Sequence, residues 1–312
     1  IALPRVEGLA LSPDGTRVVP PVATLKKDAT GYERALWAVP ADGSGAPVRL
    51  TRSAKGESGA SFTASGDVLF VSARPDVEGD ADDESGQLWL LPAAGGEARA
   101  VTRLAGGVGG VAATAEASDR VVLAAELLPG ADTLEAEAAL RARRKEKKVS
   151  AILHETYPVR YWDHDLGPAE PHLLALDLGG LADALPVRGA AAASSEVDAA
   201  ATAATASGVD DKAPAPYAPE LPRPRDLTPH PGRSADVAGA ALSPDGSTLV
   251  ASMRVSEQRD GRYVLVGIDT ESGARTTLFD EAAVDFESPV ISHDGTKIAF
   301  LRTVKSTPAA PT

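Results

Sequence analysis

A short turn motif recurs along this chain, and its spacing limits the fold more than any other feature of the sequence. The clearest copies lie at residues 11–16, 242–247 and 291–296 and read Leu-Ser-Pro-Asp-Gly-Thr, Leu-Ser-Pro-Asp-Gly-Ser and Ile-Ser-His-Asp-Gly-Thr. Two less regular copies lie at 63–67 and 117–120. Proline presets φ, aspartate hydrogen-bonds its own downstream backbone and glycine accepts a positive φ, so each copy predicts a tight turn between two apolar strands.

A second half-unit follows each turn and contains another pair of strands. It is clearest at residues 36–51, 88–102 and 264–278, where an apolar run, a glycine-containing turn and a second short run follow one another. Each repeat therefore supplies four short strands, as one blade of a β-propeller does. The spacing agrees with this interpretation, because Gly66 follows Gly15 by 51 residues.

We predict an all-β chain that contains four blades and the opening hairpin of a fifth. Propellers close with about 4–8 blades, and a half-blade leaves strand edges unpaired. We therefore expect residues 1–312 to form an incomplete propeller that belongs to a longer protein.

Two stretches of the third repeat interrupt the β pattern. Residues 132–148 predict a helix, with Asp132 and Glu135 as a capping box and a basic C-terminal end that complements the helix dipole. A solvated surface explains this charge run better than a basic partner site does. Residues 189–225 are rich in alanine, serine and proline and predict a flexible insertion between two strands.

The charge and composition exclude several classes of function. The formal net charge is −13, and a surface this acidic repels nucleic-acid phosphates and anionic lipid head groups, so neither nucleic acid nor membrane is an expected partner. The chain has no cysteine, which excludes disulfides and thiolate metal sites and fits a cytoplasmic location.

The repeats resemble the propeller of the prolyl oligopeptidase family of serine peptidases, in its acylaminoacyl-peptidase and dipeptidyl-aminopeptidase-like branch. One carrier of the resemblance is Gly-Gly-Glu-Ala at 95–98 leading to Val-Thr at 101–102. A stronger one is Tyr-Pro-Val-Arg-Tyr-Trp-Asp-His at 157–164, which follows a lysine-rich stretch. His-Leu-Leu at 172–174 and Arg-Asp-Leu-Thr at 225–228 come after it in the order that this branch shows.

The resemblance implies a peptidase of two domains. Such proteins join a propeller of about seven blades to a C-terminal α/β-hydrolase domain that bears a Ser-Asp-His triad. That hydrolase domain is absent from this chain. The implied function of this chain is to screen short peptide substrates and to gate their access to the hydrolase domain. The implied partners are the hydrolase domain, the peptides and, through exposed propeller edges, a second copy in a homo-oligomer.

The chain itself offers no catalytic residue, and we expect no metal or other cofactor. The nearest approach to a Gly-x-Ser-x-Gly nucleophile elbow is residues 56–60, which end in alanine and precede a strand rather than a helix. Residues 163–165, Asp-His-Asp, lack the spacing of a metal site, and 106–110 lack the ending of a phosphate loop. The acidic stretch 80–84 lacks the ligand order of a calcium loop and predicts a solvated loop.

Arg160 is the one candidate substrate-binding residue. A structural role explains it if the guanidinium stacks on Tyr161 or Trp162 or bridges to Asp163. A functional role explains it if the side chain faces the propeller cavity, where a guanidinium can bind the carboxylate at one end of a peptide.

Two other classes of function compete with peptidase gating. A non-enzymatic, protein-binding propeller of the TolB-like kind also carries Ser-Pro-Asp-Gly repeats. A propeller enzyme with its site in the central channel would need an acid/base cluster, and the sequence suggests none. Because propellers host many functions, the fold alone does not decide between these classes.

Overall fold

The structure is a computed structural model that describes residues 3–75, 85–154, 158–179, 181, 216–235, 237–255 and 261–306. These parts hold 22 β-strands and one α-helix. The fold is all-β, and its antiparallel sheets follow one another like the blades of a propeller.

The first blade is a sheet in which two strands are each divided in two. The order across it is β1-β4-β5-β3-β2, with β6 on the free side of β5. Its strands are β1 (Arg5–Val6), β2 (Ala10–Leu11), β3 (Arg17–Val19), β4 (Pro21–Leu25), β5 (Tyr32–Pro40) and β6 (Val48–Arg49). Pro20 separates β3 from β4, and proline cannot donate to the ladder, yet the single strand β5 pairs with both.

The next two blades have four strands each. The second contains β7 (Ser58–Phe62), β8 (Val68–Ser72), β9 (Gln87–Leu91) and β10 (Arg99–Ala100). The third opens with β11 (Gly110–Thr114) and β12 (Arg120–Leu127), and then carries helix α1 (Leu134–Glu146) and a hairpin of β13 (Arg160–Tyr161) and β14 (His164–Asp165). It closes with β15 (Glu170–Asp177) and β16 (Arg225–Asp226), so the helix and hairpin form an insertion between its second and third strands.

The fourth blade is complete and a fifth sheet has two strands. The fourth contains β17 (Ala240–Leu242), β18 (Thr248–Val255), β19 (Arg262–Asp269) and β20 (Arg275–Phe279). The fifth sheet is the hairpin of β21 (Val284–Ile291) and β22 (Ile298–Val304). The predicted four blades and opening hairpin of a fifth are confirmed.

The first strands of successive blades lie side by side, and apolar layers fill the space between blades. β2 lies next to β7, β7 next to β11, β11 next to β17, and β17 next to β21. One apolar cluster joins the first and second blades around Phe70 and Trp89, and another joins the second and third around Leu88 and Leu123. Two more join the third blade to the fourth and the fourth to the hairpin.

The repeated turns share one hydrogen-bond network. The Ser12 hydroxyl donates to Asp14 Oδ1 at 2.6 Å, and the backbone N–H of Thr16 donates to the same oxygen at 3.0 Å. The N–H of Arg17 donates to Ser12 Oγ at 2.9 Å. The turns at 243–248 and 292–297 repeat these bonds, which explains the choice of serine, aspartate and serine or threonine at these positions.

A buried threonine holds the last strand of three blades. Thr51 accepts a hydrogen bond from the N–H of Leu36, Thr102 from that of Leu88 at 2.9 Å, and Thr228 from that of Leu173. These three threonines have at most 5% exposure. The Val-Thr and Leu-Thr sequences that end these blades are therefore structural, because the hydroxyl satisfies an N–H of the third strand.

The insertion of the third blade corrects one prediction. The helix over 132–148 is confirmed as α1, but its N-cap is Thr133, whose hydroxyl accepts the N–H of Ala136 at 3.1 Å, and not Asp132. Glu135 does not complete a capping box, because its carboxylate pairs with Arg223 and accepts the N–H of Tyr217. The acidic stretch 80–84 lies outside the described residues, and so do residues 189–215 of the 189–225 insertion.

Within the described ranges, no helix is long and apolar enough to cross a membrane.

Candidate functional site

The hairpin that carries Arg160 projects from the third blade and contacts the fourth blade. The backbone pairs Arg160 with Asp165 and Tyr161 with His164. Trp162 makes the turn with a φ of +51° and is 97% exposed. Below the turn, the N–H of Leu166 donates to the carbonyl of Val159 at 3.0 Å and closes the base of the hairpin.

Arg160 faces solvent and forms an ion pair across the hairpin. Its Nε lies 3.3 Å from Asp165 Oδ1, and the two side chains are 55% and 77% exposed. The acidic partner is thus Asp165 and not the sequence neighbour Asp163, because cross-strand partners in a hairpin are separated by the turn. An ion pair this exposed leaves the guanidinium accessible and contributes only about 0–1 kcal/mol to stability.

Tyr161 faces the other way and ties the hairpin to the fourth blade. Its hydroxyl accepts a hydrogen bond from Arg254 Nη1, at the end of β18, and the Arg254 guanidinium lies 5.5 Å from the centre of the tyrosine ring. The arginine that lies over the Tyr161 ring is therefore Arg254, from the fourth blade. Because neighbouring residues of a strand point to opposite faces, fixing Tyr161 on the blade directs Arg160 outwards.

Other side chains that the sequence suggested for chemistry have structural partners. His172 is buried on β15, and its Nδ1 lies 2.9 Å from Asp226 Oδ2. Residues 56–60 lead from a loop into the innermost strand β7, as expected, and do not form a strand-to-helix elbow. The glycine-rich stretch 106–110 connects β10 to β11, as an inter-blade loop should.

A buried ion pair between the first two blades was not predicted. The Glu57 side chain is fully buried, and Oε1 lies 2.5 Å from Arg74 Nη2 and accepts the N–H of Ser53. Its other oxygen accepts the hydroxyl of Thr51 at 2.8 Å. The Arg74 guanidinium lies about 5 Å from the rings of Phe70 and Trp89. No sequence motif marks Glu57, since its ionic partner Arg74 lies seventeen residues further along the chain and reaches it only when β7 and β8 pair.

Comparisons with known proteins give the fold and no family. No protein-family model matches the chain, and no curated protein matches it. Among solved structures, the acylaminoacyl peptidase of Pyrococcus horikoshii is similar over 98% of this chain and 36% of that chain, with 11% identity and a TM-score of 0.56. Its uncomplexed form is similar with 9% identity and a TM-score of 0.53. The putative TolB of Agrobacterium tumefaciens is similar over 98% of this chain and 72% of that chain, with 13% identity and a TM-score of 0.49.

The chain thus spans about a third of the length of the acylaminoacyl peptidase that it resembles. Identities this low show a shared propeller-like fold and leave function to the residues themselves.

Proposed function

We propose that this chain is the substrate-screening propeller portion of a serine peptidase that hydrolyses short peptides, similar to acylaminoacyl peptidase. Catalysis belongs to a Ser-Asp-His triad in a C-terminal α/β-hydrolase domain, with the propeller restricting access to it. The proposal places the protein in the cytoplasm and makes the hydrolase domain and short peptides its partners.

The sequence block that ends in Arg-Tyr-Trp-Asp-His carries the proposal. It resembles the peptidase branch in content and in its position after a lysine-rich helix. In this chain the lysines lie at the C-terminal end of α1 and directly after it, and the block supplies a hairpin that is fastened to the fourth blade through Tyr161. The structural likeness to acylaminoacyl peptidase supports the fold that this assignment needs.

Within this proposal, Arg160 binds one end of the peptide. Its guanidinium is accessible and is held only by an exposed ion pair, so a substrate carboxylate can compete with Asp165. The hairpin stays in place during this exchange because Tyr161 is anchored separately.

Labelling with a fluorophosphonate, which reacts with activated serines, tests the proposed function. An antibody raised against this chain would capture the native polypeptide from its source cells, and the denatured intact mass would give its length. We expect a longer polypeptide that is labelled, with no label after heating. A captured polypeptide that is never labelled, whatever its mass, contradicts the proposal and favours the TolB-like, protein-binding alternative.

Arg160→Ala tests the role of the hairpin in a polypeptide that also contains the hydrolase domain. Loss of a charge-assisted contact predicts a rise in KM of about tenfold or more for peptides with a free terminal carboxylate, with amidated peptides unaffected. Asp163→Ala, an exposed change in the same turn, is the control and should leave both KM values unchanged. Equal effects on free and amidated peptides would remove the assignment of Arg160.

A further inference from the structure

A cleft of about 380 Å³ lies at the base of the third-blade insertion, apart from the innermost strands. The turn after β12, the middle of α1, residues 153–154 and 158, residues 167–170 and Arg233 line it. Its walls thus come from segments far apart in sequence, all near the ends of β12 and β15, where the insertion leaves and rejoins the blade.

Part of the inside of this cleft is apolar. Leu128 and Ala169 are each only 6% exposed, and Leu140 on α1 is half-buried beside them. Three prolines, at 129, 158 and 168, add rigid apolar surface. A ligand with an aliphatic or aromatic body would therefore bury apolar area on entering.

Two arginines of the cleft donate to backbone carbonyls and to no carboxylate among the described residues. Arg144 Nη2 donates to the carbonyl of Ala151 at 3.0 Å, and Arg233 Nη2 donates to the carbonyl of Gly167 at 3.3 Å. Neither guanidinium pairs with a carboxylate anywhere in the described parts of the chain. This is unusual for a protein with 44 acidic and 31 basic residues, in which the half-buried Arg74, Arg120 and Arg262 all have acidic partners.

The remaining polar groups of the cleft determine the charge of the ligand that it can bind. Glu170 lines it too, and its Oε2 accepts the N–H of Gly232 at 3.2 Å. His154 is exposed at the edge. With His154 neutral, two guanidinium groups and one carboxylate leave a single net positive charge. That balance suits a monoanion better than a phosphate dianion.

We infer that this cleft binds a monocarboxylate attached to an apolar body, with Arg144 and Arg233 as the carboxylate-binding residues. A guanidinium offers paired N–H donors that match a carboxylate, and neither of these two donates to a carboxylate of the described residues. The apolar lining receives the body of the ligand. Such a group occurs both as the apolar C-terminal residue of a peptide and as a fatty acid. The site does not depend on the proposed peptidase function, because it needs no hydrolase domain.

Calorimetric titration of the chain with four probes tests this site. The probes are N-acetyl-leucine, N-acetyl-leucinamide, octanoate and inorganic phosphate. We expect saturable binding of at least one carboxylate probe, with N-acetyl-leucinamide and phosphate at least tenfold weaker. Tighter binding of N-acetyl-leucine points to peptide ends, whereas tighter binding of octanoate points to fatty acids. Saturable binding of N-acetyl-leucine and its amide with the same affinity, or no saturable binding of either carboxylate, overturns the inference.

Substitutions then test the two arginines. The double variant R144Q/R233Q should weaken binding of the preferred probe at least tenfold, and R144K/R233K should fall between it and the unchanged chain, since lysine keeps the charge but loses the paired donors. Arg143→Gln, an exposed change on the same helix, is the matched control and should bind normally. Equal weakening by Arg143→Gln contradicts the assignment. The acid–amide comparison on the unchanged chain stays decisive if a variant fails to fold.

The peptidase proposal and the carboxylate-binding cleft are tested by independent measurements, so either can be wrong without the other. Serine labelling reports on the hydrolase domain, whereas these titrations report only on the propeller chain.

Discussion

The hydroxyl of Thr102 is fully buried and accepts the N–H of Leu88 at the start of β9. It also donates to Gln87 Oε1 at 3.0 Å. Valine has nearly the same shape as threonine but no hydroxyl, so Thr102→Val would leave a buried N–H without an acceptor.

We predict that Thr102→Val lowers the free energy of unfolding by about 1–3 kcal/mol, measured by urea denaturation. Thr102→Ser keeps the hydroxyl and should cost less. Thr277→Val, in the exposed strand β20, should change stability by less than about 0.5 kcal/mol. A Thr102→Val chain as stable as the serine variant would show that this hydrogen bond does not hold the blade.

The Glu57–Arg74 pair leads to a second prediction at the same scale. The Glu57 side chain is fully buried and that of Arg74 is 19% exposed, so Glu57→Gln leaves a largely desolvated guanidinium without its counter-charge. We expect a loss of about 3 kcal/mol in the free energy of unfolding. Glu33→Gln removes the partner of Arg49 in a more exposed pair and should cost about 0–1 kcal/mol. If the two variants lose the same free energy of unfolding, the burial of Glu57 does not make its ion pair more important for stability.

At the scale of elements, α1 is clamped at its N-terminal end by a returning segment of the same blade. Glu135 receives two hydrogen bonds from Arg223, at 2.6 and 2.8 Å, and one from the N–H of Tyr217 at 3.0 Å. These bonds hold the pKa of Glu135 well below its usual range. Tyr217 packs under this clamp, and its burial raises the pKa of its hydroxyl.

We predict that Glu135→Gln opens the clamp and lowers the pKa of Tyr217 towards its ordinary value near 10, because the ring becomes hydrated. Ultraviolet titration of tyrosinate, with Tyr217→Phe to identify the signal, measures this change. Glu146→Gln, at the opposite end of α1, should leave the titration unchanged. An unaltered Tyr217 titration in Glu135→Gln would show that packing alone, without the carboxylate, buries the ring.

Elements were predictable from the sequence where their cause is local. The Ser-x-Asp-Gly turns fix their own geometry through hydrogen bonds that span a few residues. Helix α1 is recognisable because acidic residues come first and basic residues last. The N-cap was misplaced because Asp132 and Thr133 both suit that position, and the contacts of Glu135 with residues more than eighty positions away decide between them. The sequence likewise does not show that Arg144 and Arg233 have no acidic partner among the described residues, since pairing is a property of the packed fold.

At the scale of the whole molecule, apolar layers between successive blades hold the propeller together, and polar turns lie where the strands reverse. Phe279, Phe286 and Phe300 show how one layer forms, since their ring centroids lie 4.7–5.7 Å apart across the fourth blade and the last hairpin. The repeated turns add a common dependence on pH, because each contains an aspartate that accepts its hydrogen bonds more strongly when it is ionised.

Those hydrogen bonds, led by the bond from the serine hydroxyl, lower the pKa of Asp14, Asp245 and Asp294 from 3.8 to about 2. A carboxyl whose pKa is lower in the folded chain than in the unfolded chain stabilises the fold above the unfolded value, and this stabilisation disappears as the pH falls through the folded value. We therefore predict that the urea midpoint falls between about pH 4 and pH 2 with a contribution from all three turns. The triple variant D14N/D245N/D294N should show a smaller fall over this range, whereas Asp163→Asn, in the exposed hairpin turn, should retain the full fall. If the triple variant shows the same fall in urea midpoint, the acid sensitivity arises from other carboxylates such as Glu135, whose pKa is also lowered, and not from the turns.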